Sequence, residues 1–474
     1  MKYYYSAEQI RAAEAPLLAG LPDGVLMRRA ASGLATAVAG ELRRRSGAVA
    51  GRMVCAVVGS GDNGGDALWA ATLLRRRGVA ACAVLLNPER THAQALAAFR
   101  SAGGRLVSSV SAATDLVIDG VVGISGTGPL RPAAAAVFAA VEAAGIPVVA
   151  VDIPSGIDVH TGAIDGPAVR AALTVTFGGL KPVHALADCG RVELVDIGLT
   201  LPASDLLSLE AADVKALWPQ PGPHDDKYTQ GVVGVLAGSS AYPGAGILCS
   251  GAAVAATSGM VRYAGSAGAE VVSHWPEVVI APDAPGADRV QAWVVGPGMG
   301  IDESAMSELT FTLNSDLPVI VDADGLTLLA RHPHLVTGRG APTVLTPHAG
   351  EYARLAGESP GADRVAAARR LADRFGAVVL LKGNVTVVAE PGSGRTYLNP
   401  AGASWAATAG SGDVLSGIIG SLLASGVAPA RAAAAAAFVH ARAANAAASD
   451  PGPAPAPTSA SKILAHIRHA IAGL

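Results

Sequence analysis

The stretch Met53-Val-Cys-Ala-Val-Val58-Gly-Ser-Gly-Asp-Asn-Gly-Gly-Asp66, followed by Ala67–Arg77, decides the fold of the first half of the chain. A valine-rich apolar run reads as a buried strand, the glycine-rich segment after it as a tight loop, and Ala67–Arg77 as a helix. The pattern of apolar run, glycine-containing turn and helix recurs downstream. Strands are expected at Ala81–Leu86, Leu116–Val122, Val148–Ile153 and Ala172–Thr176. After a break at about Leu199–Leu217 and the polar, proline-rich Trp218–Gly231, the pattern restarts. There it runs through Val232–Ala237, Ala292–Val295, Pro318–Val321, Thr343–Leu345 and Ala377–Leu381. Strands alternating with helices imply parallel sheets covered on both faces. The expected fold class is α/β in two domains, 1–209 and 210–474, each a three-layer sandwich. The halves are not repeats, because their loop signatures differ. Ser449–Ser461 reads as a solvated loop before a last helix.

The bulk numbers exclude several classes of function. With 474 residues the chain is long enough for two cores. Charged residues make up 15% and the net charge is −3, so there is no basic footprint and no nucleic-acid partner is expected. Mean hydropathy is +0.40, but much of it is alanine, and Glu142, Gly145 and Pro147 interrupt Val137–Val151. No run approaches the ~20 apolar residues of a spanning helix, so no membrane association is expected. MKYYYSAEQIRAAEA turns polar before a signal-peptide core forms. The four cysteines, Cys55, Cys82, Cys189 and Cys249, lack a CxxC pair and read as buried thiols. A cytoplasmic location and a homo-oligomer are expected.

In open parallel sheets, ligands sit beyond the carboxyl ends of the strands. Gly59, Gly61 and Gly64 form a GxGxxG between strand and helix, a weak sign of dinucleotide binding. Two features oppose that reading. The second strand ends at Asn87-Pro88 with no acidic residue for the ribose, and Asp62 and Asp66 would repel a pyrophosphate at the helix N-terminus. Carboxylates with an asparagine suit a cation and sugar hydroxyls better. Asp119 ends the next strand, before the glycine-rich Gly123–Arg131, and the strand after that ends Val151-Asp152-Ile-Pro-Ser155. Asn63, Asp119 and Ser155 are expected to converge as oxygen donors, a set suited to a hard cation.

GSGDNGGDAL, DGVVGISGTGPLRP and VDIPSGIDVHTG together resemble the YjeF amino-terminal family of NAD(P)H-hydrate epimerases. The likeness runs over most of residues 1–205, including LMRRAASGLA and TFGGLKPVHAL. It implies a Rossmann-like sandwich in which Asp62, Asn63, Gly64, Gly65 and Asp66, with Gly123, Ile124, Ser125, Gly126, Thr127, Gly128 and Pro129, hold the hydrated cofactor. It also implies K⁺ on Asn63, Asp119 and Ser155. Asp62 stands where the family usually has a second Asn, and Ala67 where Gly is common. Epimerising a hydroxyl beside a ring nitrogen needs a bond to open and reclose on the other face, with a carboxyl group moving the proton. Asp152 is the candidate for that role and for a substrate contact; the alternative is that it caps the Pro-Ser-Gly turn.

In the second half, Ala409-Gly-Ser-Gly-Asp413-Val-Leu-Ser-Gly417 opens an apolar helix. Its amides would stabilise charge on a transferring phosphate, and Asp413 stands where it can take a proton from an attacking hydroxyl. The alternative is an aspartate that only favours the helix dipole. Gly298 and Gly300 follow one strand, Asp322 and Asp324 another, and His348 and Glu351 a third. Lys382, Gly383, Asn384, Val385 and Thr386 form a turn able to grip a nucleotide phosphate through side chains and amides.

HDDKYTQGVVGVLAGSSAYPGA, GPGMG, VDADGL, LTPHAGE, LKGNVTVV and AGSGDVLSG occur in order over about 210–445 and resemble the ribokinase-like YjeF carboxy-terminal family. These are ADP- or ATP-dependent NAD(P)H-hydrate dehydratases. The resemblance implies that Ala245, Gly298, His348 and Asp413 contact the hydrated substrate and that Lys382–Thr386 and Gly412 hold the nucleotide. Mg²⁺ is expected on the phosphates, with Glu351 or Asp322 as outer holders. NPAGASWA at 399–406 departs from the family form and is assigned no role. NADHX, NADPHX and ADP or ATP are thus the implied substrates, with R/S epimerisation in the first half and dehydration of the S epimer in the second. Other readings remain: a small-alcohol kinase joined to a noncatalytic Rossmann-like module, or a plain NAD dehydrogenase.

Overall fold

The computed structural model describes residues 1–124, 126, 128–257 and 259–474. It divides into two compact units, Tyr3–Ser204 and Asp205–Leu474, the latter joined by Met1–Lys2. The division falls at 204/205, a few residues before the expected 209/210. Leu206–Ser208 is a short strand belonging to the second sheet, which the sequence pattern left in the break.

The first unit holds a seven-stranded sheet ordered Arg105–Leu106, Ala80–Leu85, Met53–Val58, Leu116–Gly120, Val148–Val151, Leu173–Phe177 and Arg191–Val195. Every neighbouring pair is parallel. Starting from the central Met53–Val58, the chain first builds one flank and then returns to build the other, the doubly wound pattern. The continuous apolar runs have a simple cause. Val54, Ala56 and Val58 enter one core while Cys55 and Val57 enter the core on the opposite face, so neither face tolerates polar residues.

The strand expected to reach Val122 stops at Gly120. There the chain passes against the helix: a side chain on Gly120 would come within 2.5 Å of the Ala67 Cβ. The helix also begins earlier than expected, covering Asp62–Arg76. Gly61, with φ of +91°, makes the turn that starts it. Asp62 to Asp66 are therefore helical, not a loop.

The second unit carries an eleven-stranded sheet. From Val279–Ile280 the order runs through Met260–Tyr263, Val232–Leu236, Ala292–Val295, Val319–Val321, Thr343–Leu345 and Val378–Leu381, all parallel. It continues through the antiparallel pair Val385–Ala389 and Thr396–Pro400, then Leu206–Ser208 and Lys2–Tyr3. The hairpin corrects the expectation of a wholly parallel sheet. Val385 and Thr386, read as part of a turn, are the first residues of a strand rich in β-branched side chains. Ser411–Ala424 packs on Pro243–Ala256 at glycine: a side chain on Gly417 would stand 2.2 Å from the Cys249 carbonyl. Beside it lies Pro429–Ser449, whose Ala432–Ala437 tract is buried. Among the described residues, no helix is long and apolar enough to cross a membrane.

Candidate active sites

In the first unit, the carboxyl ends of Met53–Val58, Leu116–Gly120 and Val148–Val151 meet the N-terminus of Asp62–Arg76. Asp119 is fully buried. Its Oδ1 accepts from the Ser155 hydroxyl (2.7 Å) and the Val121 amide (3.2 Å), and its Oδ2 from the Ser155 amide (2.9 Å). Burial pushes its carboxyl up to about 6, although these hydrogen bonds pull the other way. The Ser155 hydroxyl also accepts from the Val122 amide (3.0 Å). Asn63 donates through Nδ2 to the Val151 carbonyl (2.9 Å), and its Oδ1 lies beside Gly123, 2.8 Å from where a Cβ would stand. A buried carboxylate whose donors among the described residues are all neutral, near an amide oxygen, is a donor set that fits a monovalent cation.

Asp152 has φ of +68°, unusual for a residue other than glycine. Its amide reaches the Val175 carbonyl (2.7 Å), and its Oδ1 meets Lys181 Nζ (2.5 Å) and the Thr176 hydroxyl (2.9 Å). Lys181 is 1% exposed. Burial alone would raise the Asp152 carboxyl, but Lys181, with His184 and Thr176, holds it below its ordinary range. The Lys181 amide donates to His184 Nδ1 (2.9 Å), so Nε2 carries the hydrogen and donates to the Asp152 carbonyl (2.9 Å). Burial and Lys181 bring His184 down to about 4. Lys181, Thr176 and His184 were not singled out from sequence. The available signal was a lysine and a histidine inside the otherwise apolar TFGGLKPVHAL.

Gly64 sits where a Cβ would meet the Gly59 carbonyl (2.6 Å), and Gly65 where it would meet Met27 (3.1 Å). Asp62 is exposed at the helix start, while Asp66 is buried. The charge argument made from the sequence therefore changes for Asp66. Burial, followed by Asp152, Asp62 and Glu14, pushes its carboxyl well above the ordinary range, which favours the uncharged form and weakens that repulsion. In the second glycine loop, the Gly126 amide donates to the Gly123 carbonyl (2.9 Å), Gly128 has φ of +76°, and Pro129 touches Gly166. Ile124 packs with Ile153 and Ile157. Ser125 and Thr127 lie outside the described residues.

In the second unit, Gly410 (φ +80°) caps Ser411–Ala424 and places Asp413 in its first turn. Burial and then Asp322 push the Asp413 carboxyl up to about 7, with Lys382 pulling it down and Asp324 raising it. Lys382 Nζ lies 2.7 Å from Asp322 Oδ1 and 3.7 Å from Glu351 Oε2. Burial would lower that ammonium, yet Asp322, Glu351 and Asp413 hold it above its usual value. Asp322 also accepts from the Ser416 hydroxyl (2.8 Å) on the Asp413 helix. A Cβ on Gly412 would stand 3.5 Å from Lys382 Nζ and 3.7 Å from Asp322 Oδ2, so the start of the Asp413 helix lies beside that ion pair. Glu351 and Asp322, expected as outer Mg²⁺ holders, both flank Lys382.

Ala245, at the start of Pro243–Ala256, lies against Gly298, 2.8 Å from its would-be Cβ. His348 caps Ala349–Ala356, its Nδ1 accepting from the Gly350 and Glu351 amides at 2.9 and 3.3 Å. The hydrogen is thus on Nε2, 3.5 Å from Glu351 Oε1. Behind the turn, Arg364 donates to the Lys382 carbonyl (2.9 Å) and crowds Gly383. The Asn384 carbonyl accepts from the Ala401 amide (3.0 Å), and the Thr386 hydroxyl donates to the Gly383 carbonyl (3.3 Å). His440, buried and absent from the sequence reading, has Nε2 3.3 Å from the Ser411 hydroxyl, and burial takes it to about 4. Nothing distinguished it on an alanine-rich helix.

Two α/β sandwiches, each with a perturbed aspartate at the mouth of a parallel sheet, define a two-domain enzyme. A family model described as YjeF-related protein N-terminus matches residues 23–183, and one described as NAD(P)H-hydrate dehydratase matches 233–466. The bifunctional NAD(P)H-hydrate repair enzyme Nnr of Mycobacterium tuberculosis is 76% identical over the full length of both chains. That of Corynebacterium glutamicum is 38% identical over 90% of this chain and 88% of its own. A solved ribokinase-like superfamily protein from Enterococcus faecalis superposes with a TM-score of 0.51 at 22% identity, over 58% of this chain and 98% of its own, which shows the fold of the second unit. The chain belongs to the family of bifunctional NAD(P)H-hydrate repair enzymes.

Proposed function

We infer that this chain returns hydrated nicotinamide cofactors to use. The first unit interconverts the R and S epimers of NADHX and NADPHX, and the second dehydrates the S epimer with ADP or ATP. The reading rests on one observation above the others: Asp413, raised to about 7, at a glycine-lined helix N-terminus beside Lys382. A base poised near neutral pH can accept the substrate's hydroxyl proton. The hydroxyl oxygen then takes the terminal phosphoryl group, leaving AMP or ADP, while Lys382 and the amides of Gly410–Gly412 stabilise the charge. Phosphate is a far better leaving group than hydroxide. The ring nitrogen's lone pair expels it, and loss of the neighbouring carbon's proton restores the dihydropyridine. The carboxylates of Asp322, Asp324, Glu351 and Asp413 outnumber the single Lys382 ammonium around this space. That acid excess suits a nucleotide bound with Mg²⁺, which neutralises phosphate charge.

In the first unit, Asp62–Asp66 and Gly123–Pro129 hold the hydrate, Asp152 moves a proton, and K⁺ rests on Asn63, Asp119 and Ser155. Asp119, buried and with only neutral hydrogen-bond donors among the described residues, supports the last assignment. The deciding assay supplies each separated epimer with ADP or ATP and follows recovery of reduced-nicotinamide absorbance, with K⁺ or Na⁺. Recovery from the R epimer that needs nucleotide and is faster with K⁺ is expected. A stable phosphorylated product with no cofactor recovered would establish a kinase instead.

A further inference from the structure

Asp66 lies inside the helix Asp62–Arg76, one turn beyond Asn63. Asn63 bonds the carbonyl of Val151, the residue before Asp152. Residues three apart share a helix face, so Asp66 lies on the flank that meets the Asp152 strand end. It is only 8% exposed, and its Oδ1 has no hydrogen-bond partner among the described residues. An unmatched buried polar atom costs about 1–3 kcal/mol, and the same site avoids that cost at Asp119, where both oxygens are engaged. An orphaned oxygen in a ligand site is most simply explained by a partner that arrives with the ligand.

We propose that Asp66 is the proton donor of epimerisation, acting as the acid opposite Asp152 as the base. This extends the epimerase reading of the first unit and rests on it. The surroundings set the two carboxyls apart. Burial, then Asp152, Asp62 and Glu14, favour the protonated form of Asp66, whereas Asp152, in spite of its burial, is pulled toward the ionised form by Lys181, His184 and Thr176. Glu14, itself pushed up by burial, and the neutral His184 complete the titratable groups facing the pair. Two carboxyls driven in opposite directions are the arrangement acid–base catalysis uses.

The reacting carbon carries a hydroxyl and the ring nitrogen. Asp152 takes the hydroxyl proton, and the O–H electron pair becomes the second C–O bond. The C–N pair stays with nitrogen, which takes the Asp66 proton, giving an open aldehyde. Rotation about the adjoining C–C bond presents the other face. Nitrogen re-attacks and returns its proton to Asp66, while Asp152 returns its own to the new hydroxyl. No electrons are gained or lost, and no water enters.

The test uses the full chain with K⁺ and measures interconversion of the separated epimers by chromatography across pH. Asp66→Asn should lower kcat on the order of 100-fold or more with KM within about threefold, and should abolish the alkaline decline of the wild-type profile. Unchanged kcat, a loss confined to KM, or a retained alkaline decline overturns the proposal while leaving the epimerase reading intact. Wild-type protein that cannot interconvert the epimers removes both. Should Asp66→Asn fold poorly, the wild-type profile decides alone: lack of any alkaline decline overturns the proposal.

Discussion

Asp152 and Asp413 are the same residue type at equivalent places, the mouth of a buried parallel sheet, yet their carboxyls are driven in opposite directions from the ordinary aspartate value. Lys181 reaches Asp152 at 2.5 Å and keeps it ionised. In the second unit the lysine pairs with Asp322 instead, and Asp413, buried and next to that carboxylate, rises to about 7. The lesson is that burial sets the size of the perturbation and the nearest cation sets its direction. A proton acceptor raised to about 7 holds its proton readily, whereas an aspartate paired with lysine rests ionised and carries a proton only in passing.

Breaking the second site should have the largest effect. Asp413→Asn removes the proposed base, and dehydration is expected to fall by roughly 10²–10⁴-fold while epimer exchange persists; an undiminished dehydration rate would end the assignment. In the wild type, dehydration should follow the ionised form and decline as pH drops through about 7. A rate independent of pH between 6 and 8 would contradict that. Linkage has the opposite sense for stability. Because the folded value lies above the ordinary 3.8, the contribution of Asp413 to folding is complete at low pH and is lost as pH rises through about 7.

Lys181→Met comes next and probes the first site. It strands the buried Asp152 carboxylate, a change that should destabilise the first unit by about 3–5 kcal/mol. Calorimetry on the full chain should show one unit melting earlier, and an unchanged thermogram would mean the ion pair contributes little. The double variant Lys181→Met/Asp152→Asn should recover part of the loss. The smallest effect is expected from His348→Ala. Removing the cap of Ala349–Ala356 should cost about 0.5–2 kcal/mol. A higher KM for the hydrate with an unchanged melting temperature would show that the Nε2–H serves substrate and not only the helix.

Legibility from sequence was uneven for physical reasons. The central strands were readable to within a residue or two because a strand buried on both faces must be apolar throughout, as Met53–Val58 and Ala292–Val295 are. Short edge strands such as Arg191–Val195 and Val279–Ile280 face solvent, carry no such run, and were missed. Motif residues at strand ends were visible because glycine turns flank them. Lys181, His184 and His440 were not, since their parts depend on which distant segment folds against them.

The sequence by itself determined the alternating strand–helix architecture, the two-part division and the glycine loops that open each site, because periodicity and backbone freedom are local properties. Only the tertiary structure decided the charge state of each aspartate. Burial raised the Asp66 carboxyl and took that of Asp413 to about 7, while Lys181 held Asp152 below its ordinary range. Those outcomes depend on desolvation and on charges brought together across tens of residues, which no local stretch of chain specifies.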